Sequence, residues 1–248
     1  MQTKYTRNNS KNEQKTYNTI MTKTTTDERC KTVFDFLKEL ANHNDRSWFT
    51  AHRPLYDAAR EAFLMITTDM IARISEFDPE VSHLSAAECT YRIYRDVRFS
   101  NDKRPYKQHM GAFINARGRK SPHGGYYLHL EPGKCILAGG SICITPQILK
   151  AIRQSIFDNT DEFRGIVENP AFSSLFKEIG EERLKTVPQG FPKDYPYMQY
   201  LRPKDYSIST DVPDSLFLSD GWAERCAEVF KIMKPYLDFI NYTVDDYI

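Results

Sequence analysis

The side chains best suited to chemistry lie in a run of cations between residues 92 and 120. This run holds nine Lys or Arg residues against two acids, Asp96 and Asp102, which gives a local charge of +7. The whole 248-residue chain carries only +1, so its remaining 25 basic and 31 acidic residues are net acidic. One short stretch is therefore electrostatically distinct from the rest, as a site for an anion would be.

The first part of this run, residues 91 to 107, combines cations with tyrosines and turn-forming residues. A guanidinium fork matches the oxygens of carboxylates and phosphates, and such a loop can cradle a phosphate although it lacks the glycines of a P-loop. We therefore expect a small anionic ligand, bearing phosphate or carboxylate, to bind six residues: Arg92, Arg95, Arg98, Lys103, Arg104 and Lys107. Nucleic acid is a weaker expectation, because the near-neutral charge of the whole chain provides little attraction for a phosphate backbone.

Arg95 is the cation that breaks the pattern of its segment. If residues 91 to 99 form a strand, alternation places Arg95 on the apolar face with Ile93 and Val97. The side chain then either lines a cleft and binds the ligand, or forms a structural ion pair with Asp96 or Asp102, or is turned outward by a β-bulge. A structural ion pair would make the whole motif an architectural network that joins sheet to helices.

An enzyme is the main alternative to a binding protein. His129 alternates with Tyr127 and Glu131, which places a histidine and a carboxylate on one face of a predicted strand. This spacing suits acid–base chemistry, so a hydrolase or transferase could use an arginine to orient its substrate while His129 or Asp96 moves protons. Two further histidines nearby form no tight ligand pattern, and we expect neither a metal nor another cofactor.

Helices and strands must position these residues. Apolar spacing predicts helices over residues 25 to 41 and 54 to 74, the first after a capping pattern and the second after Pro54. Alternation predicts strands over residues 91 to 99, 110 to 116, 126 to 131 and 134 to 138, with a turn at Pro132-Gly133. Helical patterns then run from Thr145 through residues 163 to 184. A proline-rich connection over residues 187 to 215, with one strand at 198 to 201, leads to a last helix from residue 220. The order predicts an α+β fold, in which an antiparallel meander of about four to six strands packs with N-terminal, middle and C-terminal helices.

The same composition sets the expected organisation of the chain. Residues 1 to 24 are polar and predict a disordered tail, with Met21 as a hypothetical true start, and residues 25 to 248 predict a single α+β domain. No apolar stretch is long enough to cross a bilayer and no secretory signal is present, so we expect a cytoplasmic protein without membrane contact. The five scattered cysteines favour buried thiols over disulfides. No feature of the sequence sets an oligomeric state.

Four segments form a distinctive set of motifs. They are the pair Trp48-Phe49, YRIYRDVRFS at 91 to 100, DKRPYK at 102 to 107, and YYLHLEPG at 126 to 133. With the glycine pair at 139 and 140 and VPQGF at 187 to 191, this set resembles the family called domain of unknown function 2461, over roughly residues 30 to 245. The resemblance implies a shared fold and a shared basic segment, and it carries over no activity and no catalytic residue.

Overall fold

The computed structural model describes residues 26–141 and 144–247. The first half contains the following elements: α1 (Thr26–Asn42), α2 (Arg46–Ala51), α3 (Arg53–Ser75), a 3₁₀ turn (Pro79–Val81), α4 (Ala86–Cys89), β1 (Met110–Ile114), β2 (Gly125–Leu130) and β3 (Cys135–Ser141). The second half contains α5 (Pro146–Asp158), α6 (Thr160–Val167), α7 (Pro170–Leu175), a 3₁₀ turn (Met198–Tyr200), β4 (Tyr206–Val212), α8 (Asp214–Phe217) and α9 (Trp222–Asp245). The predicted tail of residues 1 to 24 and the hypothetical start at Met21 lie outside the described residues, and the single domain over 25 to 248 stays a prediction.

The four strands lie side by side in chain order, and each is antiparallel to the next. This arrangement confirms the predicted α+β class and the predicted meander. Strands β1, β2 and β3 lie where the alternation of apolar residues predicted them. Gly133, with a φ of 77°, lies in the turn between β2 and β3, where the Lys134 N–H donates to the Glu131 carbonyl over 2.8 Å.

One face of the sheet packs against the C-terminal helix α9. Alternate strand residues point into this core and are buried: Met110, Ala112, Ile114, Tyr126, Leu128, Leu130, Cys135, Leu137, Tyr206 and Ile208. The Tyr126 ring meets the Phe230 ring edge to face with centroids 5.5 Å apart, and the Tyr236 hydroxyl donates to the Tyr206 carbonyl over 3.2 Å. Because side chains alternate along a strand, the intervening residues must line the opposite face of the sheet.

The helices follow the predicted apolar spacing with small departures. Helix α1 buries Val33 and Phe34 as predicted, and Thr145 caps α5 by accepting a hydrogen bond from the Ile148 N–H over 3.3 Å. In the first turns of α3, Leu55 is 47% exposed and its neighbour Tyr56 is buried.

The predicted strand over residues 91 to 99 is wrong. Within this range one isolated bridge forms, Tyr94 with Tyr106, and another joins Thr90 to Ala112 just before it. The segment is otherwise irregular. The Arg95 N–H donates to the Pro105 carbonyl over 2.9 Å, and proline has no N–H with which to return the bond. The segment therefore folds back on itself as a long loop, which we call the basic loop (residues 91–107).

The second half contains two further corrections. The predicted strand over residues 198 to 201 is a 3₁₀ turn, and the helical pattern over 163 to 184 ends with α7 at Leu175. Strand β4 was missed, although Tyr206 and Ile208 alternate with Ser207 and Ser209 as a half-buried strand requires. The prolines around it concealed the pattern, because proline-rich stretches usually form extended connections.

Cys89, Cys135 and Cys226 are buried free thiols. Burial raises the pKa of the Cys89 thiol to about 11 and that of Cys135 to about 12, so neither is a thiolate at neutral pH. Among the described residues, no helix has the length and apolar character that crossing a membrane requires.

Replacing Gly140 with alanine should strongly destabilise the protein. Gly140 has a φ of 97°, and a Cβ at this position would lie 2.1 Å from the Tyr206 carbonyl oxygen, so β3 and β4 would have to separate. We expect the free energy of unfolding in urea to fall by more than about 2 kcal/mol. Gly165→Ala in α6 is the control, because its Cβ would meet no atom within 4 Å and alanine favours helix. That control should gain up to about 1 kcal/mol, and equal effects of the two changes would contradict the close approach of the strands.

Candidate functional site

The face of the sheet opposite α9 forms the floor of a cleft of about 860 Å³. The floor carries Phe113, Tyr127, Ile136, Ala138, Ser209 and Asp211 from the four strands. Tyr91, Lys107, His109, Arg119 and Ser121 line one wall, and Ser174, Leu175, Lys177, Glu178, Gly180 and Glu181 line the other. A cleft of this size over a half-buried sheet has the dimensions of a small-molecule site.

Helix α2 holds the basic loop in place. The Phe49 and Tyr106 rings stack with centroids 4.0 Å apart, and Tyr94 packs on both. The Asn44 side chain bonds the Tyr106 backbone in both directions, donating to its carbonyl and accepting from its N–H, each over 3.1 Å. Phe49 of the Trp48-Phe49 pair is thus a core residue that anchors the loop.

The outer part of the basic loop is an ion-pair network. Asp102 accepts from Arg95 over 2.6 Å and from Arg104 over 2.7 Å, and Arg98 pairs with Asp96 over 2.6 Å. The Arg104 and then the Arg95 guanidinium hold the pKa of the Asp102 carboxyl well below its usual range. Arg95, with its side chain 25% exposed, therefore forms the ion pair with Asp102 that the sequence offered as one alternative.

Three cations have no such neutralisation among the described residues, namely Arg92 and Lys107 at the inner end of the basic loop and Arg119 in the β1–β2 connection. The Lys107 ammonium lies 5.3 Å from the centroid of the Tyr91 ring, and the Arg119 guanidinium lies 5.1 Å from it. Burial, then Arg92 and Arg119, lower the pKa of Lys107. None of Arg92, Lys107 and Arg119 forms a salt bridge with a carboxylate of the described chain. Arg119 was not among the expected ligand-binding residues. The sequence feature that could have identified it is its position in the same run of cations, residues 92 to 120.

His129 lies in a polar cluster at the end of β2. Its Nδ1 is 3.0 Å from the Tyr127 hydroxyl, its Nε2 is 3.2 Å from Glu131 Oε2, and the His109 ring lies 4.2 Å away between centroids. Gly111 pairs with His129 across β1 and β2, and the same register carried two residues further puts His109 opposite Glu131. The fold thus unites two strands in one cluster, whose ligand atoms lie within 4.8 Å of one another and could hold a metal ion.

The electrostatics keep both imidazoles neutral at pH 7. Burial, then His129 and Lys107, lower the pKa of His109 to about 4, and burial also lowers the pKa of His129. Asp96, the other expected acid–base residue, does not join this cluster, because it pairs with Arg98 in the exposed part of the basic loop. Glu131 is the carboxylate beside His129.

A second histidine forms a chain of hydrogen bonds at the other end of the cleft. His123 is buried, with Nδ1 2.7 Å from the Ser121 hydroxyl and Nε2 2.8 Å from Asp245. The Asn241 side chain accepts from the Gly124 N–H over 2.7 Å and donates to its carbonyl over 3.2 Å. These bonds tie the β1–β2 connection to the last turns of α9, which explains the burial of His123 structurally.

Replacing Asp102 with asparagine tests the ion-pair network through its pH dependence. A carboxylate with a lowered pKa stabilises the folded state above its ordinary pKa, and this contribution is lost as the pH falls through the folded-state pKa. We expect Asp102→Asn to be less stable than the natural protein at pH 7, with a difference that shrinks below about pH 4.

The urea concentrations at the unfolding midpoints of the natural protein and of Asp102→Asn, measured between pH 7 and pH 3, give this comparison. Asp57→Asn is the control, because Asp57 forms an exposed pair with Arg53 on a single helix, and such pairs contribute little. A difference for Asp102→Asn that stayed constant across this pH range would contradict the network.

Comparison with known proteins gives one positive result. Neither the curated proteins nor the solved structures that were searched contain a match to this chain. One family model, described as "Conserved hypothetical protein (DUF2461)", matches residues 32–239. That range includes the basic loop, the four strands and most of α9, and it agrees with the motifs of the sequence. The chain therefore belongs to the DUF2461 family of conserved hypothetical proteins.

Proposed function

We propose that the protein binds a small anionic ligand, bearing phosphate or carboxylate, in the cleft above the open face of the sheet. Lys107 and Arg119 in the cleft wall, together with Arg92 beside Lys107, provide the positive charge. Arg95, Arg98 and Arg104 instead maintain the shape of the basic loop through Asp96 and Asp102. The six expected cations thus have two roles, and Lys103, which donates to the Val97 carbonyl over 3.1 Å, belongs with those that maintain the loop.

The observation that carries this proposal is the accumulation of positive charge that no carboxylate of the described chain neutralises. Lys107 is partly desolvated, and the nearby Arg92 and Arg119 oppose its charge. Lys107 is half-buried whereas Arg92 and Arg119 are exposed, and holding these like charges close together is costly unless a counter-ion is present. An anion bound between Lys107 and Arg119 would offset this cost, and it would also raise the pKa of Lys107 towards its ordinary value.

The rest of the cleft restricts the class of ligand. The Tyr91 and Tyr127 rings offer flat apolar surface on the cationic side, while Glu178 and Glu181 lie in the opposite wall. A ligand with an anionic group at one end and hydroxyl or amino donors at the other would match both walls. This cleft suits a small molecule better than a nucleic acid, which would need the cations arranged as an exposed stripe.

Catalysis on the bound ligand is a second candidate function. It is favoured by the contact of 3.2 Å between His129 and Glu131, which places an imidazole and a carboxylate next to His109 of the cleft wall. In this version the protein is a hydrolase or transferase, with Glu131 in the role expected of Asp96. His129→Gln should then abolish turnover while leaving ligand affinity within about threefold, whereas a binding protein would turn over nothing in either form.

Isothermal titration with inorganic pyrophosphate and with citrate, in the presence of a chelator, tests the anion site. We expect Lys107→Met and Arg119→Met each to weaken binding at least about tenfold, because each removes a charge in contact with the anion. Binding by the natural protein should also weaken with added salt.

Lys103→Met is the matched control, because it removes the same charge from the same loop at a position outside the cleft. It should change the affinity less than about twofold. An equal loss for Lys103→Met and Lys107→Met would show that diffuse charge, and not the cleft, holds the anion. Failure of both anions to bind at millimolar concentration would remove the proposal.

A further inference from the structure

We propose that His109, His129 and Glu131 form a binding site for a divalent transition-metal ion next to the cleft, whose wall includes His109. This site is separate from the anion site and does not depend on it. Two imidazole nitrogens and one carboxylate oxygen are the donors that zinc and ferrous ions prefer, whereas magnesium and calcium favour oxygen donors throughout. Three protein ligands leave positions on the ion for water or another molecule.

The donor atoms already lie near the separations that a shared ion requires. Tetrahedral ligands about 2.1 Å from zinc lie about 3.4 Å from one another. His129 Nε2 lies 3.2 Å from Glu131 Oε2, and His109 Nδ1 lies 3.9 Å from the same oxygen. All three donor atoms lie within 4.8 Å of one another, so side-chain rotations that shorten the longer separations would complete the site.

A second shell of contacts orients His129. The Tyr127 hydroxyl lies 3.0 Å from His129 Nδ1, so Nδ1 can donate to it while Nε2 faces Glu131. Gly111 makes this contact compatible with the fold, because a Cβ there would lie 2.6 Å from the Tyr127 hydroxyl oxygen. Fixing the second nitrogen of a histidine is how proteins preorganise metal ligands.

The charges of the cluster also suit an ion. The Glu131 side chain is only 22% exposed, and its nearest ammonium, on Lys134, is 3.8 Å away and itself exposed. Lys107 opposes a second positive charge near His109, so the Glu131 carboxylate must offset this repulsion.

A purely hydrogen-bonded cluster is the alternative explanation, and His109 distinguishes the two. The cluster without an ion needs only His129, Glu131 and Tyr127, because the 3.9 Å from His109 Nδ1 to Glu131 is too long for a hydrogen bond. His109 makes no other hydrogen bond within the described part of the chain. Its place over the His129 ring, 4.2 Å between centroids, is explained if both rings hold one ion.

Titration of the metal-free full chain with Zn²⁺ tests the site, with Fe²⁺ under anaerobic conditions and Mg²⁺ as further arms. We expect one Zn²⁺ per chain at micromolar or tighter affinity, little response to Mg²⁺, and a melting temperature that rises with zinc concentration by mass action. Tighter binding of Fe²⁺ than of Zn²⁺ would identify iron as the natural ion. Co²⁺ should give visible bands without a thiolate-to-cobalt band, because the ligands include no cysteine.

His109→Gln should weaken zinc binding at least about a hundredfold, and Glu131→Gln at least about tenfold, while Tyr127→Phe should weaken it about tenfold through the second shell. His83→Ala, at an exposed histidine outside the cluster, should have no effect. Circular dichroism and the metal-free melting temperature establish that each variant folds. His109→Gln is the decisive variant if the more buried His129 and Glu131 do not tolerate change.

Unchanged zinc affinity in folded His109→Gln would overturn the site, as would an equal loss in His83→Ala or the absence of zinc binding by the natural protein. Pyrophosphate binding is measured in a separate titration, in which a chelator keeps the protein free of metal. Loss of the metal site therefore leaves the anion proposal standing, and the reverse also holds.

Discussion

The packing of α9 against one face of a four-stranded sheet is the constraint on which the remaining structure depends. Tyr126 meets Phe230, Tyr236 bonds the Tyr206 carbonyl, and the strands bury every second residue against this helix. Once that face is fixed, the period of two assigns the intervening residues to the other face. The position of the cleft floor, with Tyr127 and the buried His129 on the same face of β2, follows from which face of the sheet packs against α9.

The basic loop shows how misleading a local charge count can be. Its sequence charge is high, but Asp102 bridges two arginines and Asp96 pairs with a third, so residues 95 to 104 keep a charge of only +2. Lys107 and Arg119, which line the cleft, have no carboxylate of the described residues in an ion pair with them. The carboxylates that pair with the arginines lie two to seven residues away along the chain, and their positions decide which cations remain without an ion pair.

Local patterns predicted much of the fold, and they failed where the outcome depended on a partner segment. The β2–β3 hairpin was predictable because alternation and Pro132-Gly133 act within a few residues. The segment over 91 to 99 alternates just as well, but its partner offers a proline, and no pattern within the segment reports that. Strand β4 alternates clearly, yet prolines in the surrounding sequence pointed to an extended connection.

The residues of the candidate site also fall into those that local sequence predicted and those that depend on a partner segment. His129 and Glu131 were predictable as neighbours because they lie two residues apart on one strand. His109 joins them only through the register of β1 with β2, and Arg119 joins Lys107 only through the path of the β1–β2 connection. The ion pair of Arg95 with Asp102 was one of several local alternatives, and choosing between them required the geometry of the turn.

The two walls of the cleft have a further role at the outer edges of the sheet. On the β1 side the Tyr91 N–H donates to the Gly111 carbonyl over 3.0 Å, and on the β4 side the Gly180 N–H donates to the Ser207 carbonyl over 2.7 Å. Each wall thus occupies backbone acceptors that an exposed edge strand would offer to another chain. A movement of the walls that widened the cleft would uncover these acceptors, so the width of the cleft and the protection of the sheet edges against pairing with another chain are coupled in this fold.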